Sequence, residues 1–180
     1  VLFNADSIAR VARDAGMKYL TITAKHHDGF CLWPSEYTDY TIAGTPYKKD
    51  ILGQLADACK KYGLKFCIYY SVLDWHHPDY PIHSAYNQTL DPKADMERYV
   101  SYMKNQLKEL ITRYRPYMLW FDGQWEKPWT NEKGREIYNY LKSLDPDVIV
   151  NNRLGKEFAA MENKQVDVSR MVGDYDTPER

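Results

Sequence analysis

The hydrophobic positions of the chain alternate between two periodicities. Short apolar and β-branched runs, typical of buried strands, occur over residues 18–24, 64–70, 118–121 and 147–151. Around them, apolar residues recur every three or four positions and predict helices over residues 5–15, 50–62, 95–114 and 131–143. Gly16 and Gly63 follow the first two helices, at the position where glycine commonly ends a helix. The strand-helix-strand order predicts parallel βαβ units.

The connections between these elements differ in length according to their direction. Long loops follow the strands, whereas the helices return to the sheet through short connections such as Tyr62-Gly63 and Arg115-Pro116. This asymmetry places the functional loops at one face, as in a β/α barrel. A doubly wound open sheet is the alternative, but no glycine-rich phosphate loop supports it. Because only four strands are clear and a closed barrel has eight, we expect an α/β fold that is part of a (β/α)8 barrel, incomplete at both ends. Residues 1–180 would then be the central portion of a single barrel domain.

The third predicted strand ends in a carboxylate. It reads Met118-Leu119-Trp120-Phe121-Asp122-Gly123, an apolar run that leads into an aspartate and is broken by glycine. Residues at the carboxyl ends of barrel strands carry the chemistry, and an ionised carboxylate beside aromatic rings loses hydration. Asp122 is therefore a candidate catalytic residue. The alternative is that Asp122 caps the turn that follows.

Histidine pairs follow the first and second strands and raise the question of a metal site. His26 and His27 precede Asp28, and a second pair, His76-His77, lies in a proline-containing loop. Histidine and aspartate are common metal ligands, but adjacent residues of a strand point to opposite faces. The imidazoles can converge only where the strand has begun to turn, so hydrogen bonding to substrate hydroxyls is the favoured interpretation. A metal-dependent barrel hydrolase stays as the alternative, and the second pair could equally be surface residues or caps.

The composition limits the class of ligand. With 24 Lys and Arg against 25 Asp and Glu, the net charge is −1, which argues against a nucleic acid partner. No apolar run is long enough to span a bilayer. The 16 tyrosines and 5 tryptophans are amphipathic rings suited to stacking on sugars, and an aromatic-rich core is the alternative interpretation. The 3 cysteines fit neither a disulfide framework nor a zinc motif.

Two carboxylates on separate strand ends, Asp122 and Glu179, meet the needs of glycoside hydrolysis. One must attack or stabilise the anomeric carbon, and the other must hold a proton for the leaving oxygen. By spacing alone, Glu179 is only a glutamate that follows a proline near the end of the sequence.

Five blocks of the sequence, in order, resemble the retaining α-L-fucosidases. They are Ala24-Lys25-His26-His27-Asp28-Gly29-Phe30 with Leu32-Trp33-Pro34-Ser35, Tyr69-Tyr70-Ser71 with Asp74-Trp75-His76-His77-Pro78, Leu119-Trp120-Phe121-Asp122-Gly123, Asn151-Asn152-Arg153, and Gly173-Asp174-Tyr175-Asp176-Thr177-Pro178-Glu179. The resemblance extends over essentially the whole chain. It implies a β/α barrel enzyme that works without metal or organic cofactor on fucosylated oligosaccharides or glycoconjugates. The family usually also has a β-sandwich after the barrel and sugar contacts before the position of Val1, and we expect neither within residues 1–180.

The resemblance also implies roles for individual residues. Asp122 would be the nucleophile and Glu179 the acid/base. The residues expected to bind fucose or support the nucleophile are His26, His27, Tyr69 or Tyr70, Trp75, Trp120 and Arg153. A carbohydrate-binding relative without catalysis is a further alternative, although the presence of both carboxylates favours an enzyme. Secreted, periplasmic or lysosomal proteins are typical of the family.

Overall fold

The structure is a computed structural model, and it describes residues 3–156 and 171–177. Within these residues, helices and strands alternate as the sequence predicts. The helices are α1 (Ala5–Asp14), α2 (Ile51–Tyr62), α3 (Met96–Tyr114) and α4 (Asn131–Leu144). The strands are β1 (Tyr19–Lys25), β2 (Lys65–Ser71), β3 (Met118–Asp122) and β4 (Ile149–Val150). Most bounds lie within one residue of the prediction; β4 is shorter than residues 147–151. No helix of the described part is both long and apolar enough to cross a membrane.

Side-chain caps fix where the helices begin. Asp50 accepts a hydrogen bond from the Gly53 amide, Asp95 from the Glu97 and Arg98 amides, and Thr130 from the Lys133 amide. These bonds satisfy amides that have no partner within the helix. In α1 the cap is Asn4, whose side chain accepts from the Ser7 amide. Gly63 ends α2 in the left-handed conformation, with φ of 70°.

The four strands form one parallel sheet in the order β1-β2-β3-β4. Each strand pairs with the next one along the chain, without the reversal of order that marks a doubly wound sheet. The register sets Tyr69 opposite Trp120 and Ser71 opposite Asp122. Because the strands are parallel, the loops that follow them all leave from the same edge, which is where the candidate residues lie.

The two faces of the sheet have different surroundings. Toward the helices it carries large apolar side chains that are fully buried, including Ile68, Tyr70, Leu119, Phe121 and Val150. The opposite face lines an open cleft with the side chains of Tyr19, Thr21, Thr23, Cys67, Tyr69, Met118, Trp120 and Ile149, and Tyr175, from outside the four strands, lines it too. The core therefore lies between the sheet and its helices, and the second face of the sheet ends at the candidate site.

Candidate active site

Asp122 ends β3 between two hydrogen-bond donors. Its Oδ1 accepts from Nη1 of Arg153 at 2.9 Å, and its Oδ2 accepts from the hydroxyl of Tyr69 at 3.0 Å. The carboxylate caps no backbone amide among the described residues, so the capping alternative is wrong. Instead each carboxylate oxygen is held by a different side chain, and a charge-assisted bond fixes one of them.

Arg153 is itself held in place. It lies in a short 3₁₀ turn, Asn152–Leu154, that follows β4. Its Nε donates to the Thr177 hydroxyl at 2.9 Å, and that hydroxyl donates to Oδ1 of Asn152 at the same distance. The guanidinium carbon lies 5.8 Å from the centre of the Trp120 ring, within range of a cation–π contact. Thr177 was not singled out from the sequence, although it belongs to the block that carries Glu179.

The two adjacent tyrosines of β2 face opposite sides of the sheet. Tyr69 reaches Asp122, whereas Tyr70 is fully buried against the helices and donates to Gln106 at 2.7 Å. Tyr70 therefore does not belong to the candidate site, which corrects the prediction that named it beside Tyr69. Burial, reinforced by the charge of Asp122, raises the pKa of Tyr69 above its usual value, so its hydroxyl stays protonated and donates to the carboxylate.

His26 and His27 both reach the candidate site. The ring of His26 stacks on Tyr69, with centroids 5.5 Å apart, and lies 4.0 Å from the ring of His27. Nδ1 of His27 lies 2.7 Å from Oγ of Ser71, the residue paired with Asp122 in the sheet. Burial, and then the neighbouring His26, lowers the pKa of His27 to about 4. His27 is therefore a neutral imidazole near pH 7.

A bulge and a turn explain how adjacent histidines converge. Thr23 pairs with Tyr69, but Lys25 pairs with Tyr70, so one extra residue of β1 stands between these pairs. The bulge turns Lys25 to the helix side, and the strand ends there. The chain then bends, with the Gly29 amide donating to the His26 carbonyl at 3.0 Å. The strand thus turns at the two histidines, which is the condition under which adjacent imidazoles were expected to converge.

A buried ion pair connects the first and second loops. Nζ of Lys25 donates to Oδ2 of Asp74 at 2.9 Å, and both side chains are excluded from solvent. Burial favours the neutral amine, but the charge of Asp74, together with its hydrogen bond and the neighbouring Tyr102 and Cys31, outweighs burial and raises the pKa of Lys25. Gly29 has a φ of 80°, and a Cβ there would lie 2.3 Å from Oδ1 of Asp74. The Trp75 amide also donates to the His27 carbonyl at 2.8 Å, so a backbone hydrogen bond joins the two loops as well.

Two tryptophans border His27. The ring centres of Trp75 and Trp125 lie 5.5 and 5.6 Å from its ring, and Trp125 is 54% exposed. Glu126 is buried; its carboxylate accepts from Tyr80 at 2.6 Å and from the Trp75 indole at 3.4 Å. Glu126 was not singled out from the sequence, but it lies four positions after Asp122 in the same loop.

The second histidine pair lies elsewhere. His76 packs against Tyr40, and His77 packs against Tyr99 and Tyr102, where its ring touches neither Asp122 nor Arg153. Within residues 3–156 and 171–177, no three His, Cys, Asp or Glu side chains are close enough to share a metal ion. Glu179, the expected acid/base, lies outside the described residues.

Comparison with known proteins identifies the family. The family model described as alpha-L-fucosidase matches residues 1–180. A putative alpha-L-fucosidase of Caenorhabditis elegans is 34% identical over 157 residues, which are 85% of this chain and 31% of that protein. The tissue alpha-L-fucosidase of Bos taurus is 32% identical over 163 residues, 86% of this chain and 33% of that protein. The chain thus spans about a third of the length of these relatives.

Solved structures of alpha-L-fucosidases are also similar to this chain. Alpha-L-fucosidase isoenzyme 1 of Paenibacillus thiaminolyticus superimposes with a TM-score of 0.81 at 37% identity, covering 97% of this chain and 42% of that one. A trapped covalent intermediate of an alpha-L-fucosidase from Bacteroides thetaiotaomicron, obtained with a glutamate-to-glutamine mutant and 2-fluoro-fucosyl fluoride, gives a TM-score of 0.76 at 43% identity. It covers 85% of this chain and 35% of that one. The predicted fold, part of a (β/α)8 barrel, is confirmed, and the chain belongs to the α-L-fucosidase family.

Proposed function

We propose that this chain carries the nucleophile of a retaining exo-α-L-fucosidase, which removes terminal α-L-fucosyl groups from oligosaccharides or glycoconjugates. One observation carries the proposal: Asp122 stands at the carboxyl edge of the sheet, with Arg153 on one carboxylate oxygen and Tyr69 on the other. A carboxylate with this support, open to a cleft lined by aromatic rings, suits attack on a sugar carbon. Residues 1–180 would supply the central portion of a single barrel domain.

The reaction proceeds in two displacements. In the first, a carboxylate oxygen of Asp122 forms a bond to the anomeric carbon while the bond to the leaving oxygen breaks, and Glu179 gives its proton to that oxygen. In the second, Glu179 takes a proton from water, the water oxygen bonds to the anomeric carbon, and Asp122 leaves. Two inversions produce net retention, and the intermediate is a β-fucosyl enzyme. No step requires a metal or an organic cofactor.

The role of Glu179 rests on the family resemblance and on its place in the sequence. Thr177, two positions earlier, accepts a hydrogen bond from Arg153, which in turn holds Asp122. The covalent intermediate of the Bacteroides relative was trapped with a glutamate-to-glutamine mutant. This supports a mechanism in which one residue forms the covalent bond and a glutamate serves as the acid/base. A retaining enzyme needs its two carboxyl groups about 5–5.5 Å apart.

The other residues of the site would bind the sugar. Trp75 and Trp120 offer apolar ring faces for the ring carbons and the C6 methyl group of fucose. His26, His27 and Arg153 offer hydrogen bonds to its hydroxyls, and a site built to bond a hydroxyl rejects sugars that lack it.

The test is hydrolysis by the full-length protein of a panel of aryl glycosides, with the first product read by NMR. We expect cleavage of the α-L-fucoside only, with α-L-fucose released first. Release of β-L-fucose first would show inversion. Binding of fucose without turnover would indicate a non-catalytic relative, and loss of activity in a chelator would support the metal-dependent alternative.

A further inference from the structure

The hydroxyl of Ser71 lies between two neighbours that together determine its hydrogen. Its Oγ is 2.6 Å from the Leu73 carbonyl oxygen and 2.7 Å from Nδ1 of His27. A carbonyl oxygen can only accept, and a hydroxyl has a single hydrogen. That hydrogen must point to the Leu73 carbonyl oxygen, because two oxygens 2.6 Å apart with no hydrogen between them would repel each other. The Ser71 oxygen is then left to accept from His27, which requires the hydrogen of the imidazole to be on Nδ1.

We infer that Ser71 is a positioning residue that fixes His27 as the tautomer protonated on Nδ1 and presents Nε2 to the site as a hydrogen-bond acceptor. This inference rests on the proposed function only for its consequence in catalysis. The tautomer itself follows from the two distances to Ser71. Ser71 is fully buried, so water does not compete for its hydroxyl.

Nε2 of His27 is available to a ligand. It makes no hydrogen bond to any residue in the described part of the chain. Among the buried side-chain nitrogens and oxygens of that part, only those of Gln124 lack a partner, so Nε2 retains contact with solvent. The rings of His26, Trp75 and Trp125 surround the imidazole and hold its orientation.

The charges around His27 leave it neutral. Burial and the neighbours His26 and Lys25 disfavour the protonated ring, whereas the carboxylates of Asp122 and Asp28 favour it, and the balance lowers the pKa to about 4. A neutral ring has one donor and one acceptor nitrogen. With the donor committed to Ser71, His27 can only accept from substrate at neutral pH.

An acceptor at this position selects a donor in the ligand. The sugar group that meets Nε2 must be a hydroxyl that donates its hydrogen, because an ether oxygen or a fluorine offers none. In the proposed reaction His27 would thus distinguish a free hydroxyl of the fucosyl ring from the same position methylated or fluorinated. The loss of one such bond is worth roughly tenfold in kcat/KM.

The tautomer can be measured directly in the full-length protein. Nitrogen-15 spectra of labelled histidine separate a protonated ring nitrogen from a bare one, and the His27 signals are assigned by their loss in His27→Gln. We expect Nδ1 protonated and Nε2 bare across neutral pH in the wild type, and a mixture of tautomers in Ser71→Ala. A wild-type spectrum with the hydrogen on Nε2 would overturn the inference, whatever the enzyme hydrolyses.

Kinetics add a second readout. Ser71→Ala should lower kcat/KM for an aryl α-L-fucoside roughly tenfold, chiefly through KM, because the ring can then turn its donor toward the substrate. Ser71→Thr keeps the hydroxyl and should restore the wild-type tautomer and rate. Ser101→Ala, on the exposed surface of α3, is the matched control. Unchanged kinetics together with an unchanged tautomer in Ser71→Ala would also refute the role of Ser71. The expected tautomer in a protein that hydrolyses no fucoside would refute only the proposed function.

Discussion

Asp122 is supported on both oxygens by groups that differ in charge. Arg153 brings a full positive charge and Tyr69 a neutral hydroxyl, at nearly equal distances of 2.9 and 3.0 Å. The two bonds fix the plane of the carboxylate as well as its position, and preorganised donors of this kind cost no reorganisation during reaction. The orientation of Asp122, the proposed nucleophile, is therefore set before substrate arrives.

Replacing Asp122 tests its role as nucleophile. In the full-length protein, Asp122→Gly should reduce kcat by about three orders of magnitude or more, because the covalent route disappears. Azide should enter the vacated space and restore part of the turnover, giving β-fucosyl azide, identified by NMR. Asp39→Gly, in an exposed bend, is the control and should leave the rate unchanged. Retention of more than about a tenth of the activity in Asp122→Gly would make Asp122 a structural residue.

Glu179 is tested by the leaving group. Glu179→Ala should slow natural fucosides far more than aryl fucosides with good leaving groups, since the latter need no protonation. Azide should then attack the intermediate and give α-fucosyl azide, the retained anomer. Equal slowing of both substrate classes would assign the acid/base role to another carboxylate, and Glu126 would be the next to examine.

The pKa of His27 also predicts a dependence of stability on pH. Its value of about 4 in the folded protein lies below the 6.5 of a free histidine, so the unfolded chain binds the proton more tightly. His27 therefore contributes stability that is fully present above pH 6.5 and is lost as the pH falls toward 4. The slope is at most about 1.4 kcal/mol per pH unit. Chemical unfolding from pH 7 to 4.5 should show a shallower slope in His27→Gln, and an equal slope in both proteins would contradict the burial argument.

At the level of single residues, the sequence predicted which side chains lie at the strand ends, but it did not predict which other residues position them. Asp122, His26, Trp120 and Arg153 come together because parallel strands end at one edge, which the pattern revealed. The choice between Tyr69 and Tyr70 depends on which face of β2 each occupies, and two adjacent aromatic residues do not reveal this. Ser71, which positions His27, is a polar residue of ordinary type, and His27 is remote from it in sequence. No local sequence pattern therefore identifies such a residue.

Among the elements, the end of β1 determines the shape of the candidate site. The bulge before Lys25 places its ammonium on the helix side, where Asp74 and the ring of Tyr70 receive it. Lys25 and Asp74 belong to two of the sequence blocks that resemble the α-L-fucosidases, and the structure gives them a scaffolding role. A bulge has no signature in the hydrophobic alternation when small and polar residues surround it, which is why this pairing was not predicted.

Breaking this ion pair should weaken the fold. Lys25→Met leaves the Asp74 carboxylate buried without its cation, and the loss of one partner of a buried pair typically costs about 3–5 kcal/mol. The free energy of unfolding, measured with denaturant on the full-length protein, should fall accordingly. The matched control is Lys61→Met, which breaks the exposed pair with Asp6 and should change stability far less. Similar losses in both variants would show that the buried pair has no special role.

At the scale of the whole molecule, the sheet has one covered and one open face. The helix side is packed with apolar residues, whereas the side chains of Tyr19, Thr21 and Thr23 on β1 are exposed. Within the described residues, β1 and β4 each pair on one side only. A closed barrel has no such edges, and the matched relatives are about three times the length of this chain. Sequence periodicity predicted this partial barrel because strand number and loop asymmetry can both be read without tertiary contacts.

Residues 1–180 expressed alone should therefore associate and should not hydrolyse an aryl fucoside. Unpaired strand edges and exposed apolar side chains, among them Val11, Met17 and Tyr19, favour edge-to-edge pairing and aggregation. Light scattering across a concentration series should show assemblies larger than a monomer. Thr21→Lys places a charge on the edge strand and should reduce the association, because lysine on an edge disfavours pairing. A monomer that unfolds cooperatively and cleaves the fucoside would contradict this prediction, and it would mean that four strands of the sheet suffice to hold Asp122, Arg153 and Tyr69 in working order.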